Sequence, residues 1–171
     1  MNSKRLYIFN LATKLLPPSR FIKLKVRLLR WAGAKVGENV ELFSPQIHGN
    51  SDLVIGDNVF IGHETLIFGA HGSTIVLGNH SKLGSRVVVV TGTHKFSTEG
   101  QCIEGEGTFA NVTIGDGAVV STKSIILPGK NVGKMAHVAA GSIVTHDVPE
   151  YNRVAGNPAR VIRDLRIPKN A

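Results

Sequence analysis

A repeat with a period of six residues runs through most of this 171-residue chain and restricts the folds that it can adopt. Every sixth residue from Ile114 to Val144 is Ile or Val, and small residues recur at fixed places between them. The apolar members of this stretch are Ile114, Val120, Ile126, Val132, Val138 and Val144. A period of six fits neither an α-helix nor the simple alternation of a strand. It indicates a short strand followed by a turn, repeated along the chain.

The same motif occurs upstream in three blocks, each shifted in phase from the block that follows it. Its apolar members there are Val36, Leu42, Ile55, Ile61, Ile67, Leu77, Leu83 and Val89. The phase shifts place insertions near residues 48–53, 70–74 and 94–111. Loops are therefore expected to leave the regular repeat at these three places.

Three units of strand and turn make one triangular coil in which the apolar residue points inward. Stacked coils bury a continuous column of Ile, Leu and Val while their backbones pair with each other. The alternative, a β-sandwich of Val-rich strands, does not explain turns that recur every six residues. We therefore expect an all-β fold built as a parallel solenoid.

The net charge of +8 is concentrated near the beginning of the sequence. Residues 1–37 contain nine Lys or Arg and no Asp or Glu, whereas residues 38–171 contain 11 basic and 12 acidic residues. The larger part is therefore close to neutral. This excludes a nucleic-acid-binding protein that is basic over its whole surface, and no nucleic-acid partner is expected.

The cysteine content and the hydropathy pattern bear on location. A single cysteine, Cys102, cannot form a disulfide within the chain, and the Cys and His spacing of a zinc module is missing. The sequence has no apolar run long enough to span a bilayer and no secretory signal pattern. A cytoplasmic location is therefore expected.

Residues 1–33 are predicted to form a basic, amphipathic helical cap. Apolar residues at helical spacing predict two short helices that are separated by Pro17-Pro18 and end at Gly33. These apolar residues are Leu11, Leu15, Ile22, Val26 and Leu29. A repeat protein needs such a cap at the open end of its solenoid. A cationic apolar face could also lie on an anionic membrane, and the sequence leaves both roles open.

Four segments resemble the hexapeptide-repeat acyltransferases, within them the maltose and galactoside O-acetyltransferase branch and its relatives in polysaccharide biosynthesis. They are residues 55–62 (IGDNVFIG), 90–94 (VTGTH), 140–145 (AGSIVT) and 154–163 (VAGNPARVIR). The resemblance covers about residues 36–165. It implies a left-handed parallel β-helix, an exception to the usual right-handed crossover. It also implies acetyl-CoA as co-substrate and a homotrimer whose sites lie between neighbouring subunits.

The predicted organisation has three parts. Residues 1–33 form the cap, residues 34–165 form the β-helix with a loop insertion at 94–111, and residues 166–171 form a short C-terminal tail or helix.

His94 is the candidate catalytic residue. It stands where the repeat breaks into an irregular segment, and such an insertion in a tight repeat is usually functional or disordered. A neutral imidazole can accept the proton of a sugar hydroxyl as that hydroxyl attacks a thioester. His94 also matches the catalytic histidine of the family, and the resemblance therefore implies that it is the general base.

Two other parts of this chemistry are less determined. A general base needs a group that fixes its tautomer, and spacing does not distinguish Glu99, Glu104 and Glu106 for this role. The oxyanion of the tetrahedral intermediate needs N–H donors, which the resemblance assigns to the turn Ser121–Thr122. Cys102 is interpreted as a loop thiol rather than a nucleophile.

The resemblance also implies the residues that bind ligands. Those expected to contact acetyl-CoA are Thr122, Ala139, Ala140, Gly141, Thr145, His146, Pro158, Arg160 and Arg163. His146 replaces a lysine that is common in the family, so the two arginines are the better candidates for phosphate contacts. The acceptor sugar is expected near His63, Glu64 and His71.

Several functions remain compatible with the sequence. The favoured one is acetyl-CoA-dependent O-acetylation of a sugar hydroxyl. The alternatives are N-acetylation of an amino-sugar nucleotide and a non-catalytic β-helix scaffold. The γ-class carbonic anhydrases share this fold but use two histidines five residues apart, and no such pair occurs here. No metal is therefore expected.

Overall fold

A computed structural model describes residues 1–168, of which most form a left-handed parallel β-helix of about five turns. Three sheets make the walls of the prism. Sheet A contains β1 (Lys35–Val36), β4 (Asp52–Ile55), β7 (Thr74–Leu77), β12 (Val112–Ile114) and β15 (Asn131–Val132). Sheet B contains β2 (Glu41–Leu42), β5 (Phe60–Ile61), β8 (Lys82–Leu83), β13 (Val119–Val120), β16 (His137–Val138), β18 (Asn152–Ala155) and β19 (Arg160–Asp164). Sheet C contains β3 (Gln46–Gly49), β6 (Leu66–Gly69), β9 (Val88–Val90), β14 (Ile125–Ile126) and β17 (Ile143–Val144).

The six-residue period predicts the core correctly. From Leu42 to Val144, the apolar members of the repeat have at most 2% of their surface exposed, and they form one continuous cluster along the axis. Val36, in the first strand, packs partly buried against this cluster. Each member pairs in parallel register with its counterpart in the next coil, for example Leu83 with Val120 and Val120 with Val138. The predicted solenoid and its handedness are confirmed.

The chain turns a corner between consecutive sheets, and the corners position the candidate site residues. We name them the BC corner, from sheet B to sheet C, and the CA corner, from sheet C to sheet A. All three predicted insertions fall at the CA corner. Near residues 48–53 and 70–74 the expected loops are wrong, because lengthened strands of sheets C and A meet there at tight turns.

The third insertion is also more regular than expected. Its residues form an antiparallel hairpin, β10 (Gly92–Phe96) and β11 (Glu104–Phe109), which extends from the CA corner between β9 and β12. The expectation of a loop at 94–111 is therefore wrong for most of this segment. Hairpin pairing satisfies backbone groups that an irregular excursion would leave without partners.

Two helices, α1 (Ser3–Leu15) and α2 (Ile22–Trp31), close the N-terminal end of the prism. Leu6 and Phe9 of α1 and Leu29 of α2 are buried in the same core cluster as the first coil. Leu11 and Leu15, whose spacing predicted α1, are exposed, so the helix packs on the prism through its other apolar side. The helix carries apolar residues on both sides, and spacing alone did not show which side packs.

Two polar side chains fasten the cap to the prism. The Asn10 amide donates to the carbonyl of Ile47 at 2.7 Å and accepts from its N–H at 3.0 Å, so it pairs with the outer edge of sheet C as a further strand would. The fully buried Lys25 donates to the carbonyls of Pro17 and Pro18 and to the Ser44 hydroxyl. Burial lowers the pKa of this ammonium.

The C-terminal end is a hairpin. Strand β19 turns back to pair antiparallel with β18 along the edge of sheet B. Residues 166–168 continue as a non-helical tail, and the remainder of the predicted tail, 169–171, lies outside the described residues.

Candidate active site

His94 projects from β10 of the hairpin, opposite Gly107 on β11. Its imidazole is about half exposed. A Cβ on Gly107 would lie 3.6 Å from the His94 Nε2 and 3.7 Å from its Cδ2, so the ring lies across the bare backbone of the partner strand. The absence of a side chain at position 107 leaves Nε2 accessible.

Glu104 is the carboxylate that contacts this histidine. Its Oε1 lies 2.7 Å from the His94 Nδ1. A carboxylate at this distance accepts the Nδ1 hydrogen, so the neutral ring carries its proton on Nδ1 and leaves the Nε2 lone pair free. A proton acceptor is thereby left at Nε2, above Gly107.

A β-bulge brings Glu104 to this position. His94 pairs with Gly107 but Phe96 pairs with Glu104, so the register shifts by one residue between the two pairs. Without that shift Glu104 would lie on the opposite face from His94, because side chains alternate along a strand. Bulges commonly redirect a side chain in this way beside active sites.

The other polar groups of the insertion have different partners. Glu106 binds the Lys95 ammonium at 2.9 Å, on the other face of the hairpin. Glu99 lies in the hairpin tip, where its N–H donates to the Ser97 hydroxyl. Cys102 is an exposed free thiol in the same tip. Of the three carboxylates considered from sequence, the structure therefore brings only Glu104 to His94.

A groove of about 410 Å³ lies between the hairpin and sheet C. Outward-facing Phe68 and Val90 of sheet C and Phe109 of the hairpin give it an apolar lining, and His94 stands at its margin. The Phe109 ring packs on Gly72, where a Cβ would be 2.7 Å from it. The groove can therefore hold a ligand with an apolar segment next to the imidazole.

The first group of predicted acetyl-CoA residues lies on the BC corner. Thr122 stands in the coil below Ala139, Ala140 and Gly141, and the N–H of Gly141 donates to the Thr122 carbonyl at 3.0 Å. Ala140 and Gly141 are exposed, and space is open where a Cβ of Gly141 would be. The corner therefore presents bare backbone that an extended ligand can approach.

Of the predicted oxyanion donors, the Ser121 N–H already donates to the carbonyl of Val138. The Thr122 N–H is therefore the remaining candidate.

The second group lies on the CA corner and in the C-terminal hairpin. The Thr145 hydroxyl and the His146 Nδ1 are 2.9 Å apart, and His146 lines a cavity of about 330 Å³ together with Arg160. Pro158 is exposed in the turn before β19. Arg163 donates to the carbonyl of Ile167 at 3.0 Å, so part of its guanidinium is occupied.

The predicted acceptor residues are divided between the corners. His63 and Glu64 lie on the BC corner, where the Arg86 guanidinium binds Glu64 at 2.6 Å and lowers the pKa of that carboxyl. The His63 Nε2 is 3.5 Å from the same carboxylate. His71 lies on the CA corner, 3.3 Å from the Asn50 amide and next to the Gly72 that Phe109 covers. One chain therefore does not bring His63 and Glu64 to His94.

Comparison with known proteins identifies the family, although no family model matches the chain. It is 30% identical over 149 residues to the galactoside O-acetyltransferase of Lactococcus lactis, covering 82% of this chain and 68% of that protein. The chain belongs to the hexapeptide-repeat acyltransferase family.

Other members of the family match with lower identity or over shorter segments. WcaF of Escherichia coli, whose name places it in colanic acid biosynthesis, is 28% identical over 86% of this chain and 78% of its own length. The chain spans only 24 to 57% of the yeast protein YJL218W and of three serine acetyltransferases that it also matches.

Solved structures of the family share the fold. A hexapeptide-repeat acetyltransferase of Vibrio cholerae superposes with a TM-score of 0.78 at 24% identity, covering 95% of this chain and 90% of that one. A maltose O-acetyltransferase of Clostridium difficile superposes with a TM-score of 0.69 at 23% identity, covering 96% of this chain and 86% of that one. AntD of Bacillus cereus is an N-acyltransferase solved with dTDP and coenzyme A. It superposes with a TM-score of 0.68 at 20% identity, covering 77% of this chain and 73% of that one.

Sequence reasoning missed several groups in this member of the family. It did not find the groove residues Phe68 and Phe109, and it did not find Arg86, which binds Glu64. Phe68 carried a usable signal, because it stands next to inward-facing Ile67 and must therefore face outward.

The residues 1–168 contain no cluster of three or more His, Cys, Asp or Glu that could bind a metal ion.

Proposed function

We propose that this protein is an acetyl-CoA-dependent O-acetyltransferase that acts on a sugar hydroxyl. The contact between His94 and Glu104 carries the proposal, because it supplies an oriented proton acceptor beside an apolar groove. Family membership gives the reaction class, and neighbours solved with coenzyme A or acyl-CoA support the co-substrate.

In the proposed reaction the His94 Nε2 takes the proton of the acceptor hydroxyl as its oxygen attacks the thioester carbonyl. The resulting imidazolium is stabilised by the Glu104 carboxylate at Nδ1. The tetrahedral oxyanion accepts a hydrogen bond from backbone N–H donors, for which Thr122 is the candidate. Collapse of the intermediate breaks the carbon–sulfur bond and forms the acetyl ester. The leaving thiolate receives the proton from the imidazolium.

This chemistry requires a second copy of the chain. His94 is on the CA corner, whereas Thr122 and its neighbours are on the BC corner, at the opposite edge of sheet C. A trimer with sheets C facing inward would bring the BC corner of one subunit to the CA corner of the next.

The outer face of sheet C suits such an interface. Gln46 and His48 face outward on its first strand, and the outward-facing residues beyond that strand are the apolar Leu66, Phe68, Val88, Val90, Ile125, Leu127 and Ile143. The outer faces of sheets A and B instead include Lys35, Asp52, Asn131, Glu41, Lys82 and Arg153. A contiguous apolar face of this kind is typical of an interaction surface. Replacing Val88 by Glu should therefore yield monomers in sedimentation equilibrium, whereas Lys82→Glu on sheet B should not.

Acetyl-CoA would lie along the BC corner of one subunit, where Ala140 and Gly141 leave the backbone open. In the neighbouring subunit, whose CA corner would face this BC corner, His146 and Arg160 line one cavity and would provide cationic or donor groups for its phosphates. His63, Glu64 and His71 are proposed to contact the acceptor. The resemblance to WcaF and to the galactoside enzyme supports a role in polysaccharide synthesis. The free thiol of Cys102 accords with a cytoplasmic location.

N-acetylation of an amino-sugar nucleotide is the second candidate, because AntD was solved with dTDP-4-amino-4,6-dideoxyglucose. Release of free thiol from acetyl-CoA should be measured with galactosides, glucosides and nucleotide-linked amino sugars as acceptors. We expect turnover with hydroxyl acceptors. Turnover with amines alone would overturn O-acetylation in favour of the second candidate, and the absence of acceptor-dependent release would favour a scaffold.

A further inference from the structure

The outer face of the helical cap carries exposed apolar and basic side chains that are not needed to close the prism. We propose that this face docks on a membrane surface rich in anionic lipids. The membrane face is defined by the apolar residues Ile8, Leu15, Phe21, Leu24 and Trp31 and the basic residues Lys4, Arg5, Lys14, Arg20, Lys23 and Arg27.

Helix α1 has two apolar sides. Leu6 and Phe9 face the core with at most 3% exposure, whereas Ile8 and Leu15 are 47% and 76% exposed. Residues at positions 8 and 15 lie about two helical turns apart on the side opposite the buried pair. A water-exposed side of a helix is normally polar, so these residues are suited to a further apolar environment.

Helix α2 continues the same face. Val26 and Leu29 are buried, whereas Leu24 and Trp31 are each 44% exposed. Phe21, directly before the helix, is 56% exposed. The Arg5 guanidinium lies 5.0 Å from the centre of the Trp31 ring, which links the two helices at this surface. Tryptophan beside arginine is a frequent combination at the lipid–water interface.

The positive charge of the cap favours lipids with anionic headgroups. Residues 1–37 contain no acidic side chain, and Glu38 is engaged with Arg30 at 3.0 Å. The membrane-face cations Lys4, Arg5, Lys14, Arg20, Lys23 and Arg27 are all exposed. Such a cluster attracts anionic headgroups while the apolar residues enter the headgroup region.

A second copy of the chain is a less suitable occupant of this face. Two membrane faces in contact would bring basic residues together, which is unfavourable. Tyr7 and Leu11, which line a groove with Gln46 and His48 at the edge of sheet C, lie beside Lys14 at the border of the membrane face. No helix of residues 1–168 is long and apolar enough to cross a bilayer, so the contact would be peripheral.

Flotation of the full chain with lipid vesicles tests this proposal without acetyl-CoA or acceptor, so its result is independent of the proposed activity. The vesicles are phosphatidylcholine with or without an equal part of phosphatidylglycerol. The charge variant is Lys23→Glu with Arg27→Glu. Its control is Lys82→Glu on sheet B with Lys134→Glu at the corner between sheets A and B. The apolar variant is Leu15→Gln with Leu24→Gln, and its control is Met135→Gln.

We expect binding to the anionic vesicles only, and weaker binding at high salt. Each cation removed near the surface should lower the affinity about fivefold. The charge variant removes two cations and introduces two anions, so it should lose at least on the order of 25-fold, while its control remains similar to wild type. Equal binding to both vesicle types, no binding, or the same loss in the controls would overturn the proposal. A change of oligomeric state in the cap variants with no effect on vesicle binding would also overturn it, by assigning the face to a second copy or another protein.

Discussion

Replacement of Glu104 by Gln tests whether the carboxylate orients and stabilises His94. Gln keeps the size of the side chain and one acceptor oxygen, but it removes the negative charge 2.7 Å from Nδ1. At this separation two unit charges interact by about 1.5 kcal/mol in bulk water. The side chains are 49% and 60% exposed, so solvent screening keeps the interaction near this lower limit.

We therefore expect kcat to fall about six- to tenfold, which corresponds to about 1–1.5 kcal/mol of transition-state stabilisation. The KM for acetyl-CoA should change little, because the charge acts on the imidazolium that forms during reaction. Steady-state thiol release measures both constants. The ¹⁵N spectrum of the His94 ring should also show a smaller population of the Nδ1–H tautomer.

The matched control is Glu106→Gln, which removes a carboxylate two residues away that contacts Lys95 on the other face of the hairpin. Its kcat should equal that of wild type. The reasoning is refuted if Glu104→Gln and Glu104→Ala both keep full kcat and the wild-type tautomer, or if Glu106→Gln causes the same loss.

Three further predictions concern access to the imidazole and the stability of the fold. Gly107→Ala should leave kcat nearly unchanged, because its Cβ would make an ordinary contact at 3.6 Å. Gly107→Val should lower kcat about tenfold or more by covering Nε2. The midpoint of thermal unfolding should not fall with kcat in this variant. Lys25→Met should lower the free energy of unfolding by about 1–3 kcal/mol in urea titrations, since the buried Ser44 hydroxyl loses this donor. An unchanged value would show that this ammonium contributes nothing. Burial lowers the pKa of His137 below its ordinary 6.5, so the unfolded chain binds more protons as the pH falls through 6.5 and the free energy of unfolding decreases. His137→Gln should flatten this decrease in urea titrations between pH 7.5 and pH 5, and an equally steep decrease in the variant would contradict the assignment.

The sequence predicts the core of this protein well because one physical signal determines it. A β-helix coil must place an apolar residue inward on each wall, and the six-residue period states which residues these are. Ile114, Val120 and their counterparts are fully buried for that reason. The insertions are visible as breaks in the same period, but the period contains no information about what an insertion folds into.

The assignment of Glu104 required the structure because it depends on strand register. Glu104 and Glu106 are equivalent in sequence, and regular pairing of the hairpin would direct both away from His94. The bulge after His94 reverses this for Glu104 alone. A one-residue shift of register depends on long-range packing of the hairpin, which no local pattern encodes.

The cap illustrates a second limit of sequence reasoning. Helical spacing predicts both helices, but α1 has two apolar sides and only contact with the first coil decides which one is buried. Leu6 and Phe9 pack there because α1 lies against β3, where Asn10 bonds to Ile47. Similarly, one chain does not bring together the ligand-binding residues inferred from the family, because they lie on different corners of the prism.

The most direct test of the central claim is acceptor-dependent thiol release by His94→Ala compared with wild type, at saturating acetyl-CoA. Loss of a general base typically lowers the rate about 10²- to 10⁴-fold, and we expect kcat to fall within this range. His80→Ala, at the corner between sheets A and B, is the control and should keep wild-type activity. Acceptor-dependent turnover that survives in His94→Ala at the wild-type rate would contradict the account.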